Sequence, residues 1–469
     1  MADELANTLI KRLGSLKSQR STWESHWQEI ADFVVPRKAD VTKVRSAGDK
    51  RSELVFDGTA IHAAELLSSS LHGMLTNGST SWFSLRYSNE ELNSDDEAME
   101  WLQGVEDVMY KAFNRSNFQE QIHELYIDLV TFGTGVMFVE TDQEQQIRFS
   151  TRHIKECFLS EDEKGRVDTV FREFKMPVRA ALKRFEGADF GSKILKKAEK
   201  DPYEMIRLVH CVFQRDDRDI TKINSKNKPF ASIYVEPEEK IVLSESGFDE
   251  FPYCAPRYSK SSSEIGYGRS PSMTALSDIK MLNRMCEVTI RAAQKQVDPP
   301  LLVPDDGFLL PVRTVPGGLN FYRSGTRDRI EPLNIGANNP LGLNMEEQRR
   351  QAIRSAFYVD QLILGTGPQM TATEVVQRTQ EKMKLLGPLT GRLSQELLQP
   401  LITRSYNILE RQRAFKPAPE SMQGIDLEIE YVSPLAKAQR QGDIQDMTRL
   451  LELMAPLSQL NPEIMDYVD

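Results

Sequence analysis

The stretch between Gly266 and Arg411 constrains the fold of this chain more than any other. Two long helical patterns flank a short insert rich in proline and glycine, a Gly-Thr-Gly-Pro break follows at 365–368, and a third helical pattern comes after it. Glycine and proline do not readily continue a helix, so each break separates two elements. A compact enzyme seldom leaves a helix pair with a small β-rich tip between its members. The pattern is more typical of a ring subunit, whose helices line a channel while the tip projects from one end.

Capping residues predict where the first two of these helices begin and end. Ser270 as N-cap with Pro271 at the first helical position should open the first helix. It should run to about Val297, before Pro299-Pro300 stops it. The second helix is expected at about 344–364.

The third helix should start at the capping box Thr371-Ala372-Thr373-Glu374 and run to about Arg413. Pro388 and Pro400 lie inside it. Each removes an internal hydrogen bond, so each should kink the helix.

Hydrophobic periodicity predicts a mixed α+β chain that is mainly helical. Further helices are expected at 3–33, 59–75, 97–115, 118–132, 177–200 and 436–455. Strands are expected at 82–87, 136–140, 147–150, 167–174, 206–213, 230–236, 240–243 and 427–432.

Composition excludes several classes of protein. The 469 residues allow two or three domains, and a net charge of −10 is unlike the basic charge of an ordinary DNA-binding protein. The four cysteines contain no C-x-x-C pair, which favours unpaired thiols in a reducing compartment. The N-terminus has no signal-peptide pattern, and no apolar run approaches the ~20 residues of a membrane span. We therefore expect a protein assembled in a cytosol, with no membrane partner.

Motifs for enzyme chemistry are missing from the sequence. There is no phosphate-binding P-loop, no H-E-x-x-H and no G-x-S-x-G. The six histidines have no metal-ligand spacing, and the acidic clusters 95–97 and 161–163 are better interpreted as solvated loops. Gly266-Tyr267-Gly268 precedes a helix but lacks a third glycine, so a hinge is favoured over an anion site. No cofactor, metal or catalytic residue is predicted.

Four basic residues of the first long helix, Lys280, Arg284, Arg291 and Lys295, fall at steps of four, seven and four and so share one face. Two interpretations stay open. The face is solvated and holds local ion pairs such as Glu287 with Arg291, or it faces a channel or a neighbouring subunit, where cations meet phosphates weakly.

Three groups of motifs, in order along most of the chain, carry a resemblance to a known family. They are Phe56-Asp57-Gly58-Thr59 leading through Leu71-His72-Gly73-Met74-Leu75 to Trp82-Phe83; Gly266-Tyr267-Gly268-Arg269-Ser270; and Thr371-Ala372-Thr373-Glu374 followed by Leu393-Ser394-Gln395-Glu396-Leu397 and Pro400-Leu401. Their order and spacing resemble the head-to-tail connecting (portal) proteins of short-tailed, T7-like bacteriophages.

The resemblance implies a non-enzymatic subunit of a ring, expected to be a dodecamer, at one vertex of the virion capsid. Double-stranded DNA would be packaged and ejected through its channel. The implied partners are further copies of the chain, double-stranded DNA, the terminase large subunit, the tail adaptor and tail proteins, the major capsid protein and scaffold, and internal core proteins.

The resemblance also divides the chain into named parts. These are the wing (1–265 and 374–434), the stem helices (266–298 and 338–364), a small β-rich clip (299–337), a tunnel loop (365–373) and the start of a helical crown (435–469). The DNA-facing residues of the tunnel loop would be Gly365, Thr366, Gly367, Pro368, Gln369 and Met370. Docking of partners to the clip would use Arg313, Asn320, Tyr322, Arg323 and Arg327.

Two alternatives have a different character. Another phage structural ring, such as a tail adaptor, would also form a channel, but such subunits are usually shorter and lack a two-helix stem. A cytosolic hydrolase would need one of the acidic clusters as its active site, and the sequence offers no triad or metal spacing to support it.

Overall fold

The computed structural model describes residues 2–46, 48–87, 92–219, 221–222, 224–302, 331–332, 340–362 and 386–419. The expected clip interior, the tunnel loop, the capping box of the third long helix, the strand at 427–432 and the crown lie outside the described residues.

The helices within these ranges are α1 (Ala2–Val34), α2 (Thr59–Leu75), α3 (Asp96–Arg115), α4 (Phe118–Phe132), α5 (Val178–Arg184), α6 (Ser192–Lys200), α7 (Pro271–Val297), α8 (Pro340–Ala356), α9 (Val359–Leu362) and α10 (386–411). The strands are β1 (Met137–Asp142), β2 (Gln146–Thr151), β3 (Cys157–Glu161), β4 (Val167–Pro177), β5 (Met205–Gln214), β6 (Phe230–Glu236), β7 (Ile241–Phe248), β8 (Tyr253–Cys254), β9 (Leu301–Leu302) and β10 (Glu331–Pro332). The predicted mixed, mainly helical fold is confirmed.

The larger sheet is a five-stranded antiparallel meander in the order β3-β4-β5-β6-β7. Because side chains alternate along a strand, β5 points Val209 and Cys211 to one face and Leu208 to the other. The first face packs under the N-terminal half of α1, through residues such as Leu9 and Leu13. The second packs under α5 and α6. The start of α1 is therefore held by the sheet.

The main core lies where the second half of α1 meets α2, α3, α4, α7, α8, α10 and the three-stranded sheet β2-β1-β8. Trp27 and Trp82 are among its largest fully buried side chains. The parts of the chain before and after the helix pair α7–α8 thus share one core. We call these two parts together the body.

The predicted strand at 82–87 is wrong. The segment buries Phe83, Leu85 and Tyr87 in alternation, but its backbone is not paired with a strand. Side chains take that role: the N–H of Phe83 donates to the hydroxyl of Tyr110 (2.7 Å), and the N–H of Tyr87 donates to Oδ1 of Asn93 (3.1 Å). Alternating burial gives the sequence pattern of a strand whether the backbone partner is a strand or a side chain.

The second long helix differs from its prediction at both described ends. It starts at Pro340 rather than near 344, and it breaks after Ala356, where Tyr358 adopts φ 58°. The sequence has no glycine or proline there to signal a break. Phe357 is fully buried in the core, and the chain turns at that point before α9.

Helix α10 is distorted next to Pro400, one of the two prolines expected to disturb it. Residues Ser394–Leu398 form a π-helical turn just before Pro400. Pro400 has no N–H, so the carbonyl four residues earlier loses its helical partner and the helix widens there. The corresponding carbonyl for Pro388 belongs to residue 384, which lies outside the described residues.

Candidate functional site

Helices α7 and α8 pack side by side and exchange polar contacts along their length. Arg349 Nη1 on α8 lies 2.7 Å from Asp278 Oδ1 on α7. Farther along the pair, the hydroxyl of Thr289 donates to Glu346 (2.7 Å), whose side chain is nearly buried. These contacts define the faces that the two helices turn toward each other.

A short loop before α2 anchors this pair to the body. Oδ1 of Asn283, in the middle of α7, accepts the backbone N–H groups of Phe56 (2.8 Å) and Asp57 (3.2 Å). Its Nδ2 donates back to the carbonyl of Ile279 (2.9 Å). Asn283 is 4% exposed, so a nonpolar residue there would leave two loop N–H groups without these partners.

The same loop holds α8 through a charge. Nε of Arg350 donates to Oδ2 of Asp57 at 2.9 Å, and Oδ1 of Asp57 accepts the N–H of Thr59. Burial by itself would raise the pKa of Asp57, but the hydrogen bonds from Thr59 and Arg350 outweigh it and lower the pKa below 3.8. The hydrogen bond to Asp57 raises the pKa of Arg350. The pair is charged at neutral pH and ties together the loop before α2 and α8.

The start of α7, where the sequence predicts a hinge at Gly266-Tyr267-Gly268, is a closely packed junction. A Cβ on Gly268 would lie 2.6 Å from the carbonyl oxygen of Gly133, and Gly266 has φ 81°. The expected N-cap is confirmed, since Ser270 Oγ accepts the N–H of Met273. That hydroxyl also donates to the carbonyl of Thr131 (2.8 Å). The start of α7 is therefore hydrogen-bonded to the end of α4.

Tyr267 fixes the other side of this junction. Its ring meets Trp27 edge-on, with centroids 5.1 Å apart, and contacts Trp23 at 5.9 Å. Its hydroxyl accepts the N–H of Leu159 at 3.1 Å. The aromatic ring thus connects α1, β3 and the residues that open α7.

A buried arginine joins the junction to α10. Arg257 is 2% exposed, and its Nε and Nη2 donate to both oxygens of Glu396 at 3.0 and 2.8 Å. Its Nη1 lies 3.0 Å from Glu161, which also pairs with Lys260. Glu396 sits in the π-helical turn, so the widened part of α10 presents the carboxylate that Arg257 binds.

The four basic residues expected on one face of α7 are all exposed, and three of them have carboxylate partners. Lys280 lies 3.2 Å from Glu29, while Arg284 and Arg291 both lie 2.6 Å from Glu287. Lys295 has no ion pair within the described part of the chain. The expected pair of Glu287 with Arg291 is present.

The other predicted site residues give a simpler picture. The tunnel-loop residues 365–370 and the five clip residues Arg313 to Arg327 lie outside the described residues. Asp95 caps α3, and Glu161 is used by Arg257. Among the described residues no group of three or more histidine, cysteine or acidic side chains could hold a metal ion, and no helix is long and apolar enough to cross a membrane.

Sequence reasoning missed the residues that hold the helix pair in place, namely Asp57, Asn283, Arg350 and Arg257. Their partners are far away in the chain: Asp57 and Arg350 are 293 positions apart, and Arg257 and Glu396 are 139 positions apart. The signals that existed were the motifs Phe56-Asp57-Gly58-Thr59 and Leu393-Ser394-Gln395-Glu396-Leu397, which marked the resemblance without indicating what they contact.

Comparison with known proteins places this architecture in a family. The family model for the bacteriophage head to tail connecting protein matches residues 6–469. The probable portal protein of Bordetella phage BPP-1 is 31% identical over 98% of this chain and 84% of its own length. The portal protein of Salmonella phage epsilon15 is 31% identical over 100% of this chain and 86% of its own length. A solved chain from the neck of an empty GTA particle aligns with a TM-score of 0.40 and 12% identity, over 82% of this chain and 84% of that chain.

The family model covers nearly the whole sequence, and the two relatives match it from end to end. The resemblance of the motifs is therefore confirmed, and this chain belongs to the bacteriophage head to tail connecting proteins, the portal proteins of short-tailed phages.

Proposed function

We propose that twelve copies of this chain form a closed ring at one capsid vertex, and that double-stranded DNA enters and leaves the head through the axis of that ring. The family supports the role of head-to-tail connector. In this proposal the chain is a passive conduit without enzymatic activity, and the terminase large subunit supplies the work of packaging.

The observation that carries the proposal is the geometry of α7 and α8. Helix α7 leaves the body at a packed junction and extends for 27 residues, which makes a rod of about 40 Å. Beyond it Leu301–Leu302 pairs with Glu331–Pro332 in antiparallel register. The segment between these two strands therefore leaves and returns at one place, as a tip at the end of a two-helix stem does.

The remaining parts are assigned on this frame. The stem would be 266–298 with 338–364, the clip 299–337, the tunnel loop 365–373 and the start of the crown 435–469. The wing would be 1–265 with 374–434, where Arg257 joins the two pieces.

Four sets of contacts follow from these assignments. Gly365, Thr366, Gly367, Pro368, Gln369 and Met370 would face DNA. Arg313, Asn320, Tyr322, Arg323 and Arg327 would dock the terminase and later the tail adaptor. The wing would contact the major capsid protein and scaffold, and the crown would contact the internal core proteins.

The charge of the chain fits a conduit better than a clamp. A net charge of −10 per copy gives about −120 for a ring of twelve, and like charge repels phosphate. In the described stem, Lys280, Arg284 and Arg291 are already paired with carboxylates. DNA would pass without being held by counterion release.

The deciding experiment is the particle mass of the purified protein, followed by negative-stain images. A mass near twelve times 53.5 kDa with an open central channel is expected. A chain that stays small after scaffold protein is added, or a ring without an axial channel, would contradict the proposal.

Replacing Gln369 and Met370 by glycine tests the assignment of the tunnel loop. Rings should form, while DNA packaging or retention falls. Wild-type packaging and retention would refute that assignment.

A further inference from the structure

Exposed apolar side chains of the described residues are concentrated on the stem and its approach to the clip. Half of the sixteen large apolar side chains that are exposed lie there, on α7, α8, β9 and the residues beside them. They are Met281, Val288, Ile290, Val297, Leu301, Leu302, Leu343 and Met345. Concentrations of exposed apolar surface mark interaction sites, whereas isolated ones do not.

The contacts between α7 and α8 show which faces of the pair point outward. Asp278, Cys286 and Thr289 turn toward α8, since each contacts an α8 side chain. With 3.6 residues per turn, Arg284 and Arg291 lie on the far side of α7 from these residues. Their side chains are 70% and 66% exposed.

The outward face of α8 has a different character. Its contacts with α7 use Glu346, Arg349 and Arg350. The face opposite them carries uncharged polar side chains at steps of four, three and four, all exposed: Asn344, Gln348, Gln351 and Ser355. Glu347, whose side chain is 60% exposed, lies beside this face.

These two faces suit each other better than the α7 face suits DNA. Val288 and Met281 lie on the same side of α7 as the two arginines, and phosphate offers nothing to an apolar side chain. Arg284 and Arg291 share the single carboxylate of Glu287, so donors on both guanidinium groups are left for other acceptors. The amide oxygens of Gln348 and Gln351 are such acceptors.

We propose that the outward face of α7 in one copy docks on the outward face of α8 in the next copy, with Arg284 and Arg291 donating to Gln348, Gln351 and Glu347. This inference rests on the proposed ring and assigns the basic residues of α7 to the contact between subunits rather than to the channel. The contact joins two different surfaces of the same chain. Such a head-to-tail contact can repeat around an axis and close a ring.

The test introduces like charge into this contact. Gln348→Arg with Gln351→Arg places two cations opposite Arg284 and Arg291 of the next copy, which opposes association. Both glutamines are exposed in the single chain. Gln351 Nε2 donates to Asp360 at 2.8 Å, and an arginine at 351 can donate to the same carboxylate, so the thermal midpoint of the monomer should not fall. Rings counted by mass photometry and negative stain should fall at least tenfold. The control, Gln143→Arg with Gln145→Arg, makes the same charge change at the exposed β1–β2 turn and should assemble like the wild type.

A second variant moves the charges instead of adding them. Arg284→Gln and Arg291→Gln, combined with the two α8 substitutions, preserve the amino-acid composition and exchange the roles of the two faces. Because every contact joins α7 of one copy to α8 of the next, each interface regains arginine opposite glutamine, and rings should return.

Three results would overturn the inference but leave the proposed ring in place. The variant Gln348→Arg with Gln351→Arg could assemble like the wild type, or it could form rings of normal mass that lose only DNA packaging. The third result is that the exchanged variant fails to recover rings. A wild-type chain that forms no ring even with scaffold protein would instead refute the proposed function on which the inference rests.

Discussion

The junction where α7 leaves the body and the helix pair beyond it use charged residues in opposite ways. At the junction Arg257 is 2% exposed and has two carboxylates arranged around it. On the outward face of α7, Arg284 and Arg291 are mostly exposed and share one carboxylate. The junction thus has its carboxylate partners within one copy, while the outward face of α7 keeps donors and apolar groups exposed among the described residues. Residues that fix the position of α7 are satisfied inside the chain, and residues with exposed groups are the ones available for the contact proposed above.

The largest effect should come from Arg257. Arg257→Met removes the buried cation that Glu161 and Glu396 share, while Lys260 still pairs with Glu161 and Arg392 with Glu396. Breaking a buried ion pair by removing one partner typically costs about 3–5 kcal/mol. Urea unfolding followed by tryptophan fluorescence measures this well, because Trp23, Trp27, Trp82 and Trp101 all lie in the body. The control is Arg269→Met, which breaks a pair with Glu264 in which the arginine side chain is 57% exposed, and it should cost less than about 1 kcal/mol. Equal losses for the two variants would mean that buried Arg257 contributes no more to stability than an arginine at the surface.

Acid should remove the stabilising contribution of His153 and that of Asp57 in different pH ranges. Burial, followed by the charges of Lys38 and Lys155, lowers the pKa of His153 from 6.5 to about 4. The unfolded chain therefore takes up the proton first, and the stability that the neutral histidine contributes is complete above pH 6.5 and lost as the pH falls toward 4. The pKa of Asp57 is instead depressed below 3.8, so its contribution persists until the pH falls below that value.

The test compares the free energy of unfolding at pH 7 and pH 5 for the wild type and His153→Gln. A shift of this size corresponds to about 2 kcal/mol between the two pH values, and the variant should lose that much less than the wild type. His210, which is buried and also has a lowered pKa, should keep some acid sensitivity in both proteins. Asp57→Asn is the contrasting variant and should leave the difference between pH 7 and pH 5 unchanged. Identical pH dependence of His153→Gln and the wild type would exclude His153 as the group responsible.

Backbone contact at the junction gives the next effect in size. Gly268→Ala would place a methyl group 2.6 Å from the carbonyl oxygen of Gly133, and forcing extra atoms into a packed site costs about 1–3 kcal/mol. Gly73→Ala on α2 is the control, since nothing lies within 4 Å of its added Cβ and alanine favours a helix. A neutral Gly268→Ala would mean that the junction can yield, as a hinge would.

How much of this could be predicted from the sequence depends on how local the cause is. Helix α7 was predicted almost to the residue because Ser270 and Pro271 are signals within one turn of its start. The contacts of Asp57 with Arg350 and of Arg257 with Glu396 were missed, because each joins residues more than 130 positions apart and no spacing rule connects them. The break at Tyr358 was missed for the same reason. No glycine or proline marks the turn, which instead accompanies the burial of Phe357 in the core. The outward faces of α7 and α8 lie between these cases: the basic face was visible in the sequence, but which way it points required the contacts between the two helices.

The smallest effect on a single chain should come from Arg291→Gln, which separates a role within one copy from a role between copies. Its pair with Glu287 is exposed, and such pairs contribute about 0.3–0.5 kcal/mol within a helix. Hydrogen exchange of peptides from 271–297 in the monomer should therefore be nearly unchanged, since Glu287 keeps Arg284. In the assembled ring the same substitution removes a donor from the proposed contact, so disassembly in rising salt should begin at a lower concentration than in the wild type. If the substitution weakens the monomer and the ring to the same degree, Arg291 stabilises only its own helix. The exposed apolar residues of α7 would then be the groups left to make the contact between copies.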